Sequence, residues 1–382
     1  MTDSRQLVTV ETDKTQVRSL IDSTARILVE HGATIDPSVA IRESGGQLSV
    51  HSAASPPDTP LFVIPQELLV PVADITWAIM TNKDTGMRSM TVESAQNLTP
   101  VQRDLLDLHI DLYNSLNKFE WFLNEHPRAA LSDFPDVERL FTECEPNFTR
   151  GQEPEDFLAS RVLGYRAKGP AADHLPKKSV LMPLVDLMNH HPRGAAFDTS
   201  NGALSVLASQ PASDSECFVN YGGLRDALQM FSSYGFADES TTVATSICAT
   251  LPLIGESPAT LGTLKVERKH SKGHLPRVTV KESTLTLSKV TFAPRKLDRF
   301  NAAFSLPVKS FAMQQGASPE LADQVAEQAA RELIEINQQQ LGVLLETVIA
   351  LNSERVVLRE LESALRVQLR SLDNFVQRLA ML

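Results

Sequence analysis

The chain has 382 residues, more than one hydrophobic core usually serves, so length alone implies two or three folding units. Its 42% hydrophobic and 22% charged residues match an ordinary soluble protein, and no stretch reaches the roughly 20 apolar residues that cross a bilayer, which excludes a membrane helix. A formal net charge of −11 opposes binding to the phosphate backbones of nucleic acids and suits a partner with a basic surface. Cys144, Cys217 and Cys248 stand far apart, so neither a disulfide framework nor a thiolate metal site is expected. Polar and charged residues fill Met1 to Val10 where a signal peptide would be apolar, and the expected compartment is the cytoplasm.

The spacing of Val17, Leu20, Ile21, Thr24, Ile27 and Leu28 predicts a helix over Val17 to His31, closed by Gly32. Short strands are predicted at Val39 to Ile41, Leu48 to Val50 and Leu61 to Ile64, separated by Gly45-Gly46 and by the turn residues Ser55-Pro56-Pro57. From about Leu68 to Arg161 the apolar spacing reads as helical, as in Leu105, Leu108, Leu112, Leu116, Phe119 and Phe122, with breaks near Pro127, Pro135 and Pro146. Strands are expected again at Val180 to Leu184, Leu204 to Leu207 and Cys217 to Asn220, followed by a β-rich stretch from Thr242 to Phe292. Beyond Pro319 the pattern is helical, with Leu358, Leu365, Leu372 and Leu379 every seven residues. Gln368 interrupts that seam, which favours a helix packed within its own domain over an intermolecular coiled coil.

Four short motifs follow in one order: Ser160-Arg161, then Pro183-Leu184-Val185-Asp186-Leu187-Met188-Asn189-His190, then Asn220-Tyr221-Gly222, then Tyr234-Gly235-Phe236. Each is weak alone, since Asn-His and Tyr-Gly pairs arise by chance in chains of this length. Together, after the Gly45-Gly46 strand pair and the Ile64-Pro65 turn, they resemble the SET-domain methyltransferases, in the branch of the Rubisco large-subunit and actin-histidine methyltransferases. The resemblance covers most of the chain. It implies an α+β fold: a SET β-fold of short strands with a pseudoknot, a helical insertion and a mainly helical C-terminal domain. The implied parts are an N-terminal helical segment (1–34), the first SET part (35–72), a helical insert (73–158), the second SET part (159–240) and a substrate-binding-like domain (241–382). The absence of cysteine beyond Cys248 agrees with this branch, because many histone-type relatives close their site with a cysteine-rich zinc segment.

The resemblance also implies S-adenosylmethionine as cofactor and a nitrogen on a protein side chain as acceptor, lysine first and histidine second. Asn189 would bond the methionine end of the cofactor, and His190 would meet the adenine through its backbone. Arg161 would meet the carboxylate, a task suited to a planar and permanently charged fork. Gly45 and Gly46 would let the backbone approach the cofactor. Tyr221 would orient the incoming amine, while Tyr234 and Phe197 would line the substrate pocket with Asp186 nearby. A carboxylate touching the amine would hold it protonated, so Asp186 is expected to be buried and hydrogen-bonded and not to act as a base. The chain departs from the family pattern at Gln47, where the second glycine of a G-x-G usually stands, at Asp226, usually asparagine, and at Phe197, in the place of a tyrosine. These departures keep two alternatives open: a small-molecule substrate, or a peptide-binding protein that has lost the cofactor.

Overall fold

The computed structural model describes residues 7–52, 59–73, 75–151, 153–166, 177–209, 215–222, 225–255, 260–268, 276–293 and 296–379. The chain is α+β, built of short strands and helices. It forms two compact units and passes between them three times: the first unit takes residues 1–124 and 151–222, the second 125–150 and 223–382.

In its first pass the chain forms β1 (Thr9–Glu11), α1 (Thr15–Glu30), β2 (Thr34–Ile35), β3 (Val39–Ser44), β4 (Gln47–Ser52), β5 (Pro60–Ile64), β6 (Val70–Pro71), β7 (Ile75–Thr81) and β8 (Arg88–Ala95). It ends with α2 (Pro100–Ser115) and α3 (Lys118–Glu125). The short excursion into the second unit holds α4 (Pro127–Ala130) and α5 (Pro135–Cys144). On its return the chain adds α6 (Glu153–Ala159), β9 (Val162–Tyr165), β10 (Lys178–Leu181), β11 (His190–Ala195) and β12 (Leu204–Leu207). The last pass holds α7 (Ala227–Tyr234), β13 (Ala244–Thr245), β14 (Ala249–Ile254), β15 (Thr260–Val266), β16 (Val278–Lys281), β17 (Thr284–Leu287) and β18 (Thr291–Phe292). It closes with α8 (Leu297–Phe300), α9 (Leu306–Gln314), α10 (Pro319–Ala350) and α11 (Val356–Leu379).

The first unit is assembled from small sheets. β1 runs parallel to β3, which pairs antiparallel with β4, and two further three-stranded sheets have the orders β6-β10-β9 and β12-β5-β2. α1 packs on α2, burying Val17, Ile21 and Leu28 with Leu105, Leu106 and Leu112. The structure differs from the sequence expectation between Leu68 and Ala95, where β6 and the β7–β8 hairpin stand in place of helix. The reason lies in local chemistry. The Asn82 side chain accepts from the backbones of Asp84 and Thr85 and Gly86 takes φ +71°, which closes the hairpin turn. Helix begins only at Pro100, where Thr99 and Gln102 form a reciprocal capping box.

In the second unit a four-stranded sheet of order β14-β15-β17-β16 and the pair β13–β18 share one apolar core with α5, α7 and α9 to α11. Leu358, Leu361, Leu365, Leu372 and Phe375 of α11 are buried in that core. Gln368 does not face water. It is fully buried, and its amide donates to Thr245 O at 3.1 Å and to Asp226 at 3.3 Å.

Candidate active site

In the first unit three segments meet along β4. Residues 215–217 pair with its outer end, with Ser52 N donating to Ser215 O and Cys217 N to Val50 O, both at 2.8 Å. The same segment then runs beside β11: Val219 N reaches Asn189 O at 2.9 Å and Asn220 N reaches Ala195 O at 2.8 Å. A strand-like stretch, Cys217 to Asn220, is thus held from two sides.

Asn189 joins these pieces. Its amide donates to Glu216 Oε1 at 2.8 Å and to the Leu48 carbonyl on β4 at 3.4 Å. His190 accepts from Tyr221 N through Nδ1 at 3.1 Å, and the two rings lie 5.1 Å apart. The Tyr221 hydroxyl donates to Met188 O at 2.9 Å, so its half-buried ring is fixed at both ends. Asn189, His190 and Tyr221 are therefore brought together, although about 30 residues separate the first two from the third.

Gly45 and Gly46 form the β3–β4 turn with φ of +57° and +81°. Two successive left-handed residues define the tight hairpin turn that glycine permits without a Cβ clash. That turn accounts for both glycines. Gly46 N donates to Glu43 Oε1 at 2.7 Å, and a Cβ on Gly46 would lie 3.5 Å from the Leu116 carbonyl. Gln47, at the departure from the glycine pattern, accepts a hydrogen bond of 2.5 Å from Lys118 Nζ.

Arg161 follows α6 and lies over two aromatic rings, its guanidinium carbon 4.5 Å from the Tyr113 centroid and 4.8 Å from that of Phe157. One N–H donates to the Tyr113 oxygen at 3.4 Å, while Nε is buried with no partner among the described residues. Burial lowers its pKa to about 10, so it remains a cation at neutral pH. Asp186 is the most enclosed of the candidates. Its carboxylate accepts from the Tyr113 hydroxyl and faces His109 Nε2 at 3.4 Å, with a side chain only 1% exposed. Desolvation pushes Asp186 well above the usual carboxylate range and lowers His109 to about 3, so burial favours the neutral form of both over an ion pair. Just before it, Leu184 takes φ +65°, an unusual conformation for a bulky residue, and turns the chain into the helical turn that carries Asp186.

Phe197 is half-buried two residues beyond β11, next to the Asp198–Ser205 pairing. Tyr234 belongs to the second unit, where it ends α7 ahead of Gly235 at φ +80°, with Arg225 5.1 Å from its ring. Asp226 caps α7 and is fully buried. It accepts two bonds from Arg268, at 2.8 and 2.9 Å, and one from Thr245 N at 2.9 Å. Its departure from asparagine is thus explained by an ion pair with a buried arginine inside the second unit.

His109, Tyr113 and Lys118 were not singled out from the sequence. A signal existed: His109 and Tyr113 fall on the Leu105, Leu112, Leu116 stripe of α2, and polar residues on an apolar stripe need buried partners. Among the described residues there is no cluster of metal-ligating side chains, and no helix is long and apolar enough to cross a membrane.

No protein-family model matches the chain, and no curated protein matches it. Among solved structures it is similar to the SET domain of LSMT bound to lysine and AdoHcy, at 13% identity and a TM-score of 0.40, over 95% of this chain and 92% of that one. The same domain bound to methyl-lysine and AdoHcy gives 12% identity and 0.42, over 95% and 91%. Rubisco LSMT bound to AdoMet gives 12% and 0.39, again over 95% and 91%. Likeness at this level assigns neither a fold family nor an activity to this chain.

Proposed function

We propose that the first unit binds S-adenosylmethionine and that the protein transfers its methyl group to a nitrogen of a protein side chain, lysine first and histidine second. The observation that carries this is the meeting of Asn189, His190 and Tyr221 beside β4, in a chain whose motif order resembles the SET-domain methyltransferases.

The residues present fit the cofactor. Among the described residues Arg161 keeps a buried donor without a partner, as expected of a group that awaits an anion, and Asn189 and His190 follow it in the motif order. When bound, the cofactor supplies an activated sulfonium methyl, so the protein needs alignment and dryness more than a strong base. Tyr221 provides the alignment. A phenol that donates to a carbonyl can also accept from an incoming amine, and its ring walls the approach. Asp186 is enclosed against Tyr113 and His109 of α2 and held toward its neutral form, so it is not the group that would keep the amine protonated. Phe197 is proposed to line the substrate path.

Calorimetry and thermal shift with millimolar S-adenosylmethionine test the cofactor. Absence of heat and of any shift would remove the methyltransferase assignment and leave a peptide-binding protein. Transfer of a radiolabelled methyl group to proteins of a whole-cell extract tests the acceptor, and label found only in small molecules would overturn the protein substrate.

A further inference from the structure

Two cationic side chains of the first unit, the buried Lys118 and the half-buried Arg161, have no carboxylate bonded to them among the described residues. Lys118 opens α3 and is 8% exposed. Of its three N–H groups one reaches an acceptor among the described residues, the neutral amide oxygen of Gln47. Among the described residues Arg161 bonds only a neutral phenol, and its Nε has no partner. The two are close enough for the Arg161 charge to act on Lys118, and Arg161 lies on Phe157, whose ring is 5.6 Å from that of Phe119, the residue after Lys118. The Gly46 turn rests on Leu116, two residues before Lys118, and Asn117 between them takes φ +54°, which turns the chain from α2 into α3.

The neighbouring carboxylates are committed elsewhere. Glu43 accepts from Gly46 N, Thr12 and Lys14, and Asp186 accepts from Tyr113 and is held toward its neutral form. Buried cations normally have an anionic partner, because desolvation of an unpaired charge is costly. Burial and the nearby Arg161 bring Lys118 down to about 7, with Lys14 acting in the same direction and Glu43 against it.

We infer that Lys118 and Arg161 form a two-cation subsite for the carboxylate of an amino-acid-type ligand, with Gln47 orienting the Lys118 ammonium at its mouth. The subsite rests on the proposed cofactor, whose amino-acid half carries such a group, and adds Lys118 and Gln47 to the residues that face it. It also gives Gln47 a task at the position where the glycine pattern is broken.

The test compares two ligands by calorimetry at about pH 6, where Lys118 holds its proton. S-adenosylhomocysteine carries the carboxylate and 5′-methylthioadenosine lacks it. Lys118→Met should weaken S-adenosylhomocysteine about tenfold while leaving 5′-methylthioadenosine within about twofold, and Lys118→Arg should recover most of the loss. Unchanged affinity of Lys118→Met for S-adenosylhomocysteine, or equal loss of both ligands, would overturn the subsite and leave the cofactor proposal standing. If the parent protein bound neither ligand, the cofactor proposal itself would fall, and the subsite with it.

Discussion

At the scale of single residues, the first unit encloses Lys118, His109 and Asp186 with little ionic pairing among the described residues, and this makes its stability depend on pH. Lys118 has its pKa lowered from 10.5 to about 7 by burial and by Arg161. Between those values the unfolded chain holds a proton that the folded chain has lost, so this group makes stability rise with pH; below about 7 its full cost is present. Lys118→Met should therefore stabilise the ligand-free protein by up to about 3 kcal/mol below pH 7, an advantage that shrinks toward pH 10.5, as followed by urea unfolding across pH. Asp186 has the opposite sign. Its raised pKa lets the folded chain keep a proton that the unfolded chain loses above 3.8, so its contribution falls as pH rises beyond that value. Asp186→Asn should flatten this dependence and cost less than about 1 kcal/mol at low pH, because the amide oxygen can still accept from Tyr113. Tyr221→Phe keeps the ring against His190 and loses the hydroxyl. Turnover should fall about 100-fold while cofactor affinity stays within about twofold, since an orienting bond acts on geometry at the reacting nitrogen. Equal turnover in mutant and parent would make Tyr221 a packing residue.

At the scale of elements, the β3–β4 hairpin depends on its two left-handed residues. Gly45→Ala and Gly46→Ala should each cost about 1–2 kcal/mol in thermal unfolding, although a Cβ at Gly45 meets nothing within 4 Å. The loss is then conformational and not steric, and Gly45→Asn, which tolerates this conformation, should cost less. In the second unit α7 is tied by Asp226 to Arg268, and Arg268 donates as well to Glu145 and to the Thr245 carbonyl. Asp226→Ala would leave Arg268 with a weakened counter-charge inside the core and should cost about 3–5 kcal/mol by denaturant unfolding. Asp226→Asn keeps the cap of α7 but gives up the charge, and should fall between.

At the scale of the whole molecule, the second unit cannot be shortened at its C-terminal end without opening its core. Asn337 on α10 accepts from Ile247 N and donates to Ser246, while Gln368 on α11 reaches Asp226 and Thr245. A chain ending near Gln314 would lose both helices and expose Leu251, Leu285 and Phe292, so it should lose the cooperative unfolding of this unit. For the proposed protein acceptor, substituting exposed Arg359, Arg366 and Arg370 is the milder test of whether it docks on α11. It should raise KM for a protein substrate with the melting temperature nearly unchanged.

Much was determined by the sequence alone, because local chemistry was sufficient: the first helix ending at Gly32, the strands around Gly45-Gly46, the Leu204–Leu207 strand and the final helix all follow from periodicity and turn residues. Asn189, His190 and Tyr221 were legible as an ordered set of motifs, but their contacts were not, since Tyr221 N meets His190 only after the 215–221 segment is held between β4 and β11. The β7–β8 hairpin was missed where apolar spacing fitted two periods, and its turn chemistry decided. Gln47, Asp226 and Gln368 looked from the sequence like departures or interruptions. Only the tertiary structure supplied their partners, Lys118, Arg268 and Thr245, because a buried polar group is explained by what faces it, and those residues lie 71, 42 and 123 positions away along the chain.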